Sequence, residues 1–220
     1  MAFKLRAKES LASIASTNGS TPLLEHHSRM LKDSAISDEV ARERGYLSAT
    51  AEQCRGLGFS KNQVGTAGGL LVPRWTVDGK QDGLQLRPDA PNPDRKKYET
   101  PKGQLNKLDT HPRCIEQLQN PRVPLWLTEG AKKIDALVTR GACAIGLQGV
   151  WSWRGTNKAG GKTALACWEF VALNGRWVVL AFDSDVFFKQ SVAGAFRRLT
   201  AFLKSRGAEV CPLWRQTNAS

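Results

Sequence analysis

The chain reads as an α/β protein: a mostly parallel sheet with flanking helices in its second half, preceded by a small basic α+β domain. Three observations predict this. From Pro124 onward, short apolar runs alternate with helix-length segments, the pattern of parallel strands joined by crossover helices. Upstream, "GLLVPRWTVDGKQDGLQLRPD" holds two strand-type runs about an Asp78-Gly79 turn, a strong hairpin signal. Finally, Lys and Arg outnumber Asp and Glu by 32 to 20, a net charge of +12 in 220 residues.

Taken in order, residues 1–36 are polar and Ser/Thr-rich, with "STNGSTP" as a breaker, and are expected to form a flexible arm with at most a short helix. A basic α+β domain is expected at 37–120. It opens with "SDEVARERG", where Ser or Asp can cap, acids fill the first turn and Gly45 stops the helix. In "TAEQCRGLGF", Thr50 caps a second helix with Gln53 at the third turn position. The hairpin follows, and residues 88–124 read as surface loops rich in Pro, Lys, Asp and Asn. The second domain is expected at 121–220. Its strands are "PLWLTEG", "ACAIGL", "RWVVLAFDSD" and "AEVCPLW"; its helices are "AKKIDALVTRG", "TALACWEFVAL" and "KQSVAGAFRRLTAFLKSRG".

Composition narrows the function. The basic excess favours a polyanionic partner, because neutralised phosphates release condensed counterions. No apolar run reaches roughly 18 residues, so no membrane association is expected, and "MAFKLRAKESLASIAS" lacks a signal-type apolar core, which predicts a cytoplasmic protein. The five cysteines are scattered without CxxC spacing, and His26, His27 and His111 lie near none of them in ligand spacing, so buried free thiols are expected and a zinc ribbon is not.

Two of the strands end in acids. Ligands of parallel sheets sit beyond the carboxyl ends of the strands, and "WLTEG" and "LAFDSD" place Glu129, Asp183 and Asp185 there. In an extended D-x-D both carboxylates face one way. Their repulsion is offset in one reading by a divalent cation, Mg²⁺ or Mn²⁺, completed by water and phosphate oxygens. In the other reading the two aspartates cap the helix that follows. Under the first, Glu129 serves as general acid/base or as a further metal ligand. Lys132 and Lys133, in the first turn after Glu129, are candidates to hold a phosphate.

"LWLTEGAKKIDAL" followed by "VVLAFDSD" resembles the Toprim domain, the metal-binding fold shared by bacterial-type primases, topoisomerases and some nucleases. "TEGAKKIDALVTRG", "GLQGVWSW" and "VVLAFDSDV" resemble in detail the Toprim-like domains of unknown function found in plasmid and phage replication proteins. The upstream "GLQLRPDAPNPDRKKYETPKG" looks like the segment ahead of Toprim in bacterial-type primases. The resemblance implies a Rossmann-like Toprim fold, Mg²⁺ at Glu129, Asp183 and Asp185, and a nucleotide or template groove lined by Arg87, Lys97 and Lys102. It implies primase-like nucleotidyl transfer with single-stranded DNA and nucleoside triphosphates as partners, in replication of a plasmid, phage or other mobile element, alongside a replicative helicase. Two alternatives stand beside it: a Toprim nuclease, and a non-catalytic nucleic-acid-binding module that supports a helicase. The zinc ribbon that usually opens such primases is missing. "WRQTNAS" follows the last strand where many Toprim domains carry more acids, which fits a fragment of a larger protein.

Other signals compete. "GTNKAGGKTAL" misses the P-loop spacing, because Thr156 stands where Gly is needed, so a basic loop offering Lys158 or Lys162 to phosphate is the better reading. With only Tyr46 and Tyr98 available, both upstream, a topoisomerase nucleophile is not supported. Trp126 and Trp177 are expected in the core, and Trp151 and Trp153 are the candidates for stacking on bases.

Overall fold

The computed structural model describes residues 23–91, 93–182 and 190–213. These form two compact units. One holds the described residues up to Arg74 with Gln81–Leu105; the other holds Trp75–Lys80 with the described residues from Asn106 onward.

The first described element of the first unit is α1 (Glu25–Asp33), inside the segment expected to be an arm. It is an ordered helix because His27 and Leu31, one turn apart, are both buried. A histidine does not register as an apolar position in the sequence, so this stripe was illegible there. Next comes α2 (Asp38–Arg44), capped by Ser37 Oγ accepting from Val40 N at 3.3 Å and stopped at Gly45. Strand β1 (Leu47–Ala49) leads to α3 (Ala51–Gly56), where Thr50 and Gln53 form the expected capping box. After α4 (Lys61–Val64) come β2 (Gly69–Trp75) and β3 (Gln81–Pro88), the hairpin arms. β2 pairs antiparallel with β1, Leu47 opposite Leu71, and pairs with β3 on its other side. Cys54, Phe59, Val64, Leu71 and Leu86 make the core of this unit, each large aliphatic contributing about 1.5–3 kcal/mol by leaving water.

In the second unit the strand order is β4 (Asp109–Thr110), β6 (Cys143–Leu147), β5 (Leu125–Glu129), β9 (Trp177–Leu180), β10 (Glu209–Pro212). The last four are mutually parallel; β4 runs antiparallel to β6. Helix α5 (Ala131–Thr139) crosses from β5 to β6, and α6 (Gln190–Ser205) from β9 to β10. The mostly parallel sheet expected from the alternation is therefore present. Its second crossover differs. Residues 163–173 do not form the expected helix; the chain makes a two-stranded hairpin, β7 (Arg154–Thr156) with β8 (Lys162–Ala164), then a 3₁₀ turn at Ala166–Phe170. The reason is tertiary. Trp168 is buried and donates its indole N–H to the Trp153 carbonyl at 2.9 Å, which pins a tight turn where a full helix would swing that ring away.

Two packing features hold this unit. Arg176 is fully buried, and its guanidinium donates to the carbonyls of Val123 (2.8 Å), Leu118 (2.7 Å) and Gln117 (3.0 Å). Gly146 on β6 lies directly under α5, where an added Cβ would stand 2.5 Å from Ile134 Cδ1 and 2.9 Å from Cγ1. Ile134 is itself fully buried, so its side chain must shift within the core to admit the new methyl. Gly146→Ala is therefore expected to cost about 1–3 kcal/mol by overpacking, read as a lower urea midpoint at unchanged slope.

Candidate functional site

The carboxyl ends of the parallel strands form a rim. β5 ends at Glu129, in register with Leu147 at the end of β6. Gly130 then turns the chain at φ 83°, a conformation any side chain would strain, and donates its N–H to the Leu147 carbonyl at 3.1 Å. That turn leaves the half-buried Glu129 at the strand tip, with α5 starting immediately behind it. The loop after β6 passes close by, since a Cβ added to Gly149 would lie 3.9 Å from Glu129 Oε1.

On the other side of β5 runs the chain leaving β9. Ala181 N donates to the Leu127 carbonyl at 2.8 Å, and Thr128 Oγ1 donates to the Ala181 carbonyl at 2.8 Å. The described chain reaches Phe182 there. Asp183 and Asp185, the other two acids expected at this rim, lie outside the described residues. Lys132 and Lys133 are half-buried in the first turn of α5, directly after the Glu129-Gly130 turn.

The loop from Gly149 to Arg154 is anchored by Asn106, whose Nδ2 donates to the Ser152 carbonyl at 2.8 Å. The two tryptophans it carries part company. Trp153 is buried, stacked on Phe202 with ring centroids 5.1 Å apart, so it is core and not the stacking platform expected for it. Trp151 is half-buried, with the Arg154 guanidinium 4.0 Å from its ring centroid and that of Arg198 at 5.7 Å, a cation–π arrangement. Trp177, expected in the core, is 55% exposed at the first position of β9, and Trp126 is half-buried. Lys158 and Lys162 are exposed in the β7–β8 hairpin, where the Lys162 ammonium rests on Thr156 Oγ1.

A basic pocket of about 650 Å³ opens in the first unit. Leu86 and Glu99 pair as an antiparallel bridge, with N–H···O distances of 2.9 and 2.8 Å, so the intervening loop leaves β3 and returns beside it. This brings Arg87 and Lys97, ten positions apart in sequence, into one wall together with Arg95. Arg95 is held by a two-point contact to Glu99, Nε to Oε1 at 2.6 Å and Nη2 to Oε2 at 2.9 Å, and that contact keeps the Glu99 carboxyl below its usual range. The Arg87 guanidinium lies 5.9 Å from the Tyr98 ring centroid. Lys102 is exposed and does not line this pocket. His26 and Asp89 do line it; His26 was passed over in sequence because its partner is far away along the chain. Among the described residues no helix is long and apolar enough to cross a membrane.

Residues 116–218 match the family model described as a domain of unknown function (DUF3854). An uncharacterized protein of Picosynechococcus sp. is 35% identical over 109 residues, 45% of this chain and 11% of that protein, so the chain spans about a tenth of the relative's length. Among solved structures, the Aquifex aeolicus primase, in a crystal structure of its zinc-binding and RNA polymerase domains, superposes with a TM-score of 0.63 at 14% identity, covering 100% of this chain and 57% of that one. A DnaG primase catalytic domain bound to single-stranded DNA gives a TM-score of 0.60 at 13% identity, covering 99% of this chain and 75% of that one. At such identities the likeness establishes the fold: this is a mixed α/β chain built like the catalytic core of DnaG primases, with residues 116–218 matching the DUF3854 domain.

Proposed function

We propose that the chain is a Toprim-type, primase-like nucleotidyltransferase that acts on single-stranded DNA. The observation that carries the reading is the position of Glu129 at the carboxyl-end rim, beside the strand that leads into Asp183, in a chain folded like a primase core. The donor set fits a hard divalent cation. Glu129 offers a half-buried carboxylate at a strand tip, and the sequence supplies Asp183 and Asp185 directly after the neighbouring strand. Glu129, Asp183 and Asp185 would hold Mg²⁺ or Mn²⁺, which when bound stabilises charge on the attacking and leaving oxygens of phosphoryl transfer.

The chain's own groups bind and orient. Arg87 and Lys97 supply positive charge for phosphates of template or nucleoside triphosphate, and Lys132 and Lys133 do so behind the rim. Glu129, wherever it is not a ligand, is placed to accept the proton of an attacking hydroxyl. Replication of a plasmid, phage or other mobile element, alongside a helicase, is the setting the sequence resemblance supports.

The test is incubation with single-stranded DNA, labelled nucleoside triphosphates and Mg²⁺ or Mn²⁺. Short labelled products are expected. A shortened template would instead make the chain a nuclease, and binding without turnover would make it a binding module. In the same system Arg87→Ala and Lys97→Ala are each expected to weaken DNA binding regardless of sequence and to lower the salt slope of log K by about 1, measured by fluorescence anisotropy across a salt series.

A further inference from the structure

A second cluster lies in the first unit, in the wall of the basic pocket, and none of its members is given a part in the chemistry above. His27 is fully buried in the first turn of α1, and its Nε2 stands 2.7 Å from Asp89 Oδ1, just beyond the end of β3. His26, 56% exposed, brings its own Nε2 to 3.4 Å from the same oxygen. The three ligand-type atoms all lie within 4.8 Å of one another.

From this juxtaposition we infer that His26, His27 and Asp89 form a binding site for a divalent transition-metal ion of the zinc class. The donor set is two imidazole nitrogens and one carboxylate oxygen, the mixture that suits zinc and its neighbours and not Mg²⁺ or Ca²⁺. Three protein ligands with a fourth position open to solvent is the arrangement of an accessible zinc site. Ligand atoms about 2.0–2.1 Å from a tetrahedral ion are roughly 3.3 Å from each other. The present separations bracket that value, and the exposed ring of His26 is free to swing the remaining distance.

A buried histidine bonded to an aspartate can also be a plain structural pin. A pin needs one imidazole, however, and here a second converges on the same carboxylate oxygen. The outer contacts suit a ligand as well. Ser48 Oγ lies 2.8 Å from His27 Nδ1 and accepts the Leu24 N–H at 2.9 Å. A hydroxyl oxygen has two lone pairs, so it can accept from Nδ1–H too, which fixes the tautomer whose Nε2 lone pair faces the ion. Without an ion the alternative tautomer donates Nε2–H to Asp89. Ser48 does not line the pocket, so its part is positioning.

The site is set in the wall of the pocket that carries Arg87 and Lys97. Those cations oppose a further positive charge, and Asp89 offsets them in part. Arg95, the third, is already matched by Glu99. The open coordination position therefore faces a space suited to water or an anion. The ion would also tie the start of α1 to the end of β3, across 62 residues of chain.

The test uses the full chain with its thiols reduced. Calorimetry with Zn²⁺ is expected to give one ion per chain. Titration with Co²⁺ is expected to give visible bands of a tetrahedral ion without the near-ultraviolet charge-transfer band that thiolate ligands produce. His26→Ala, at an exposed position that leaves the fold intact, is expected to lower affinity by more than about a hundredfold, and Ser48→Ala by about 10–100-fold with the stoichiometry kept. Zn²⁺ should raise the Tm of the wild type and not that of His26→Ala. No binding, a thiolate band, or affinity unchanged in both His26→Ala and Asp89→Asn would overturn the assignment. Each of these readouts is independent of nucleotide transfer, so the site stands or falls apart from the proposed activity.

Discussion

Glu129→Gln is expected to reduce primer synthesis by about 10²–10⁴-fold, the range for loss of a positioned acid/base group. The substitution keeps size and shape, and the amide can still accept hydrogen bonds, so the Gly130 turn and the β5–β6 pairing have no reason to change. Single-stranded DNA binding measured without divalent metal is expected to stay within twofold, since the substitution then removes only one negative charge from a basic chain. Asp183→Ala/Asp185→Ala is expected to abolish product formation in the same assay. The measurement is labelled nucleotide incorporated per chain over time, set beside anisotropy on the same preparations. Undiminished synthesis by Glu129→Gln would remove Glu129 from the chemistry.

The largest expected effect on stability is at Arg176. Its side chain is fully buried, its guanidinium meets three backbone carbonyls at 3.0 Å or less, and it donates to Cys143 Sγ at 3.7 Å. Burial pulls its pKa below the ordinary guanidinium range, with the neighbouring Cys143 opposing. Arg176→Met fills much of the same volume and relieves the buried charge. It also strips charge-assisted donors from carbonyls of the 3₁₀ segment at Glu116–Gln119 and from the chain entering β5. Lost bonds of that kind are worth more than the relief: hydrogen bonds to a charged donor contribute about 1.5–3 kcal/mol each, even though the Leu118 and Gln117 carbonyls keep the N–H groups of Ala172 and Asn120. A net loss of about 3 kcal/mol is expected, or about 6–12 °C in Tm for a chain of this size. Calorimetry on the wild type, Arg176→Met and Arg176→Lys provides the check. The Lys variant should recover less than half of the loss, since one ammonium cannot reach three carbonyls set around a planar fork. An unchanged Tm in Arg176→Met would show that this segment is held by other contacts.

The elements legible in the sequence are those whose signals are local. Ser37 and Thr50 cap helices, Asp78-Gly79 closes a hairpin, and apolar runs ending at Glu129 and Phe182 become neighbouring parallel strands. Each depends on hydrogen bonds or steric limits within a few residues, so the order of residue types carries the information. The rim follows because strand direction and alternation together place the carboxyl ends of the four parallel strands on one edge.

What only the tertiary structure decided depends on partners far apart in the chain. Trp153 and Trp151 stand two positions apart in one loop, yet Phe202 takes the first into the core while Arg154 and Arg198 flank the second. The segment at 163–173 has helix-type composition and becomes a strand and a 3₁₀ turn because Trp168 bonds back to Trp153. His27 meets Asp89 across 62 residues, and Arg176 meets Gln117 across 59. Spacing rules for ligands and networks act over a few positions, whereas burial pairs a polar group with whichever partner the packed fold delivers, because leaving it unpaired costs more than any local preference gains.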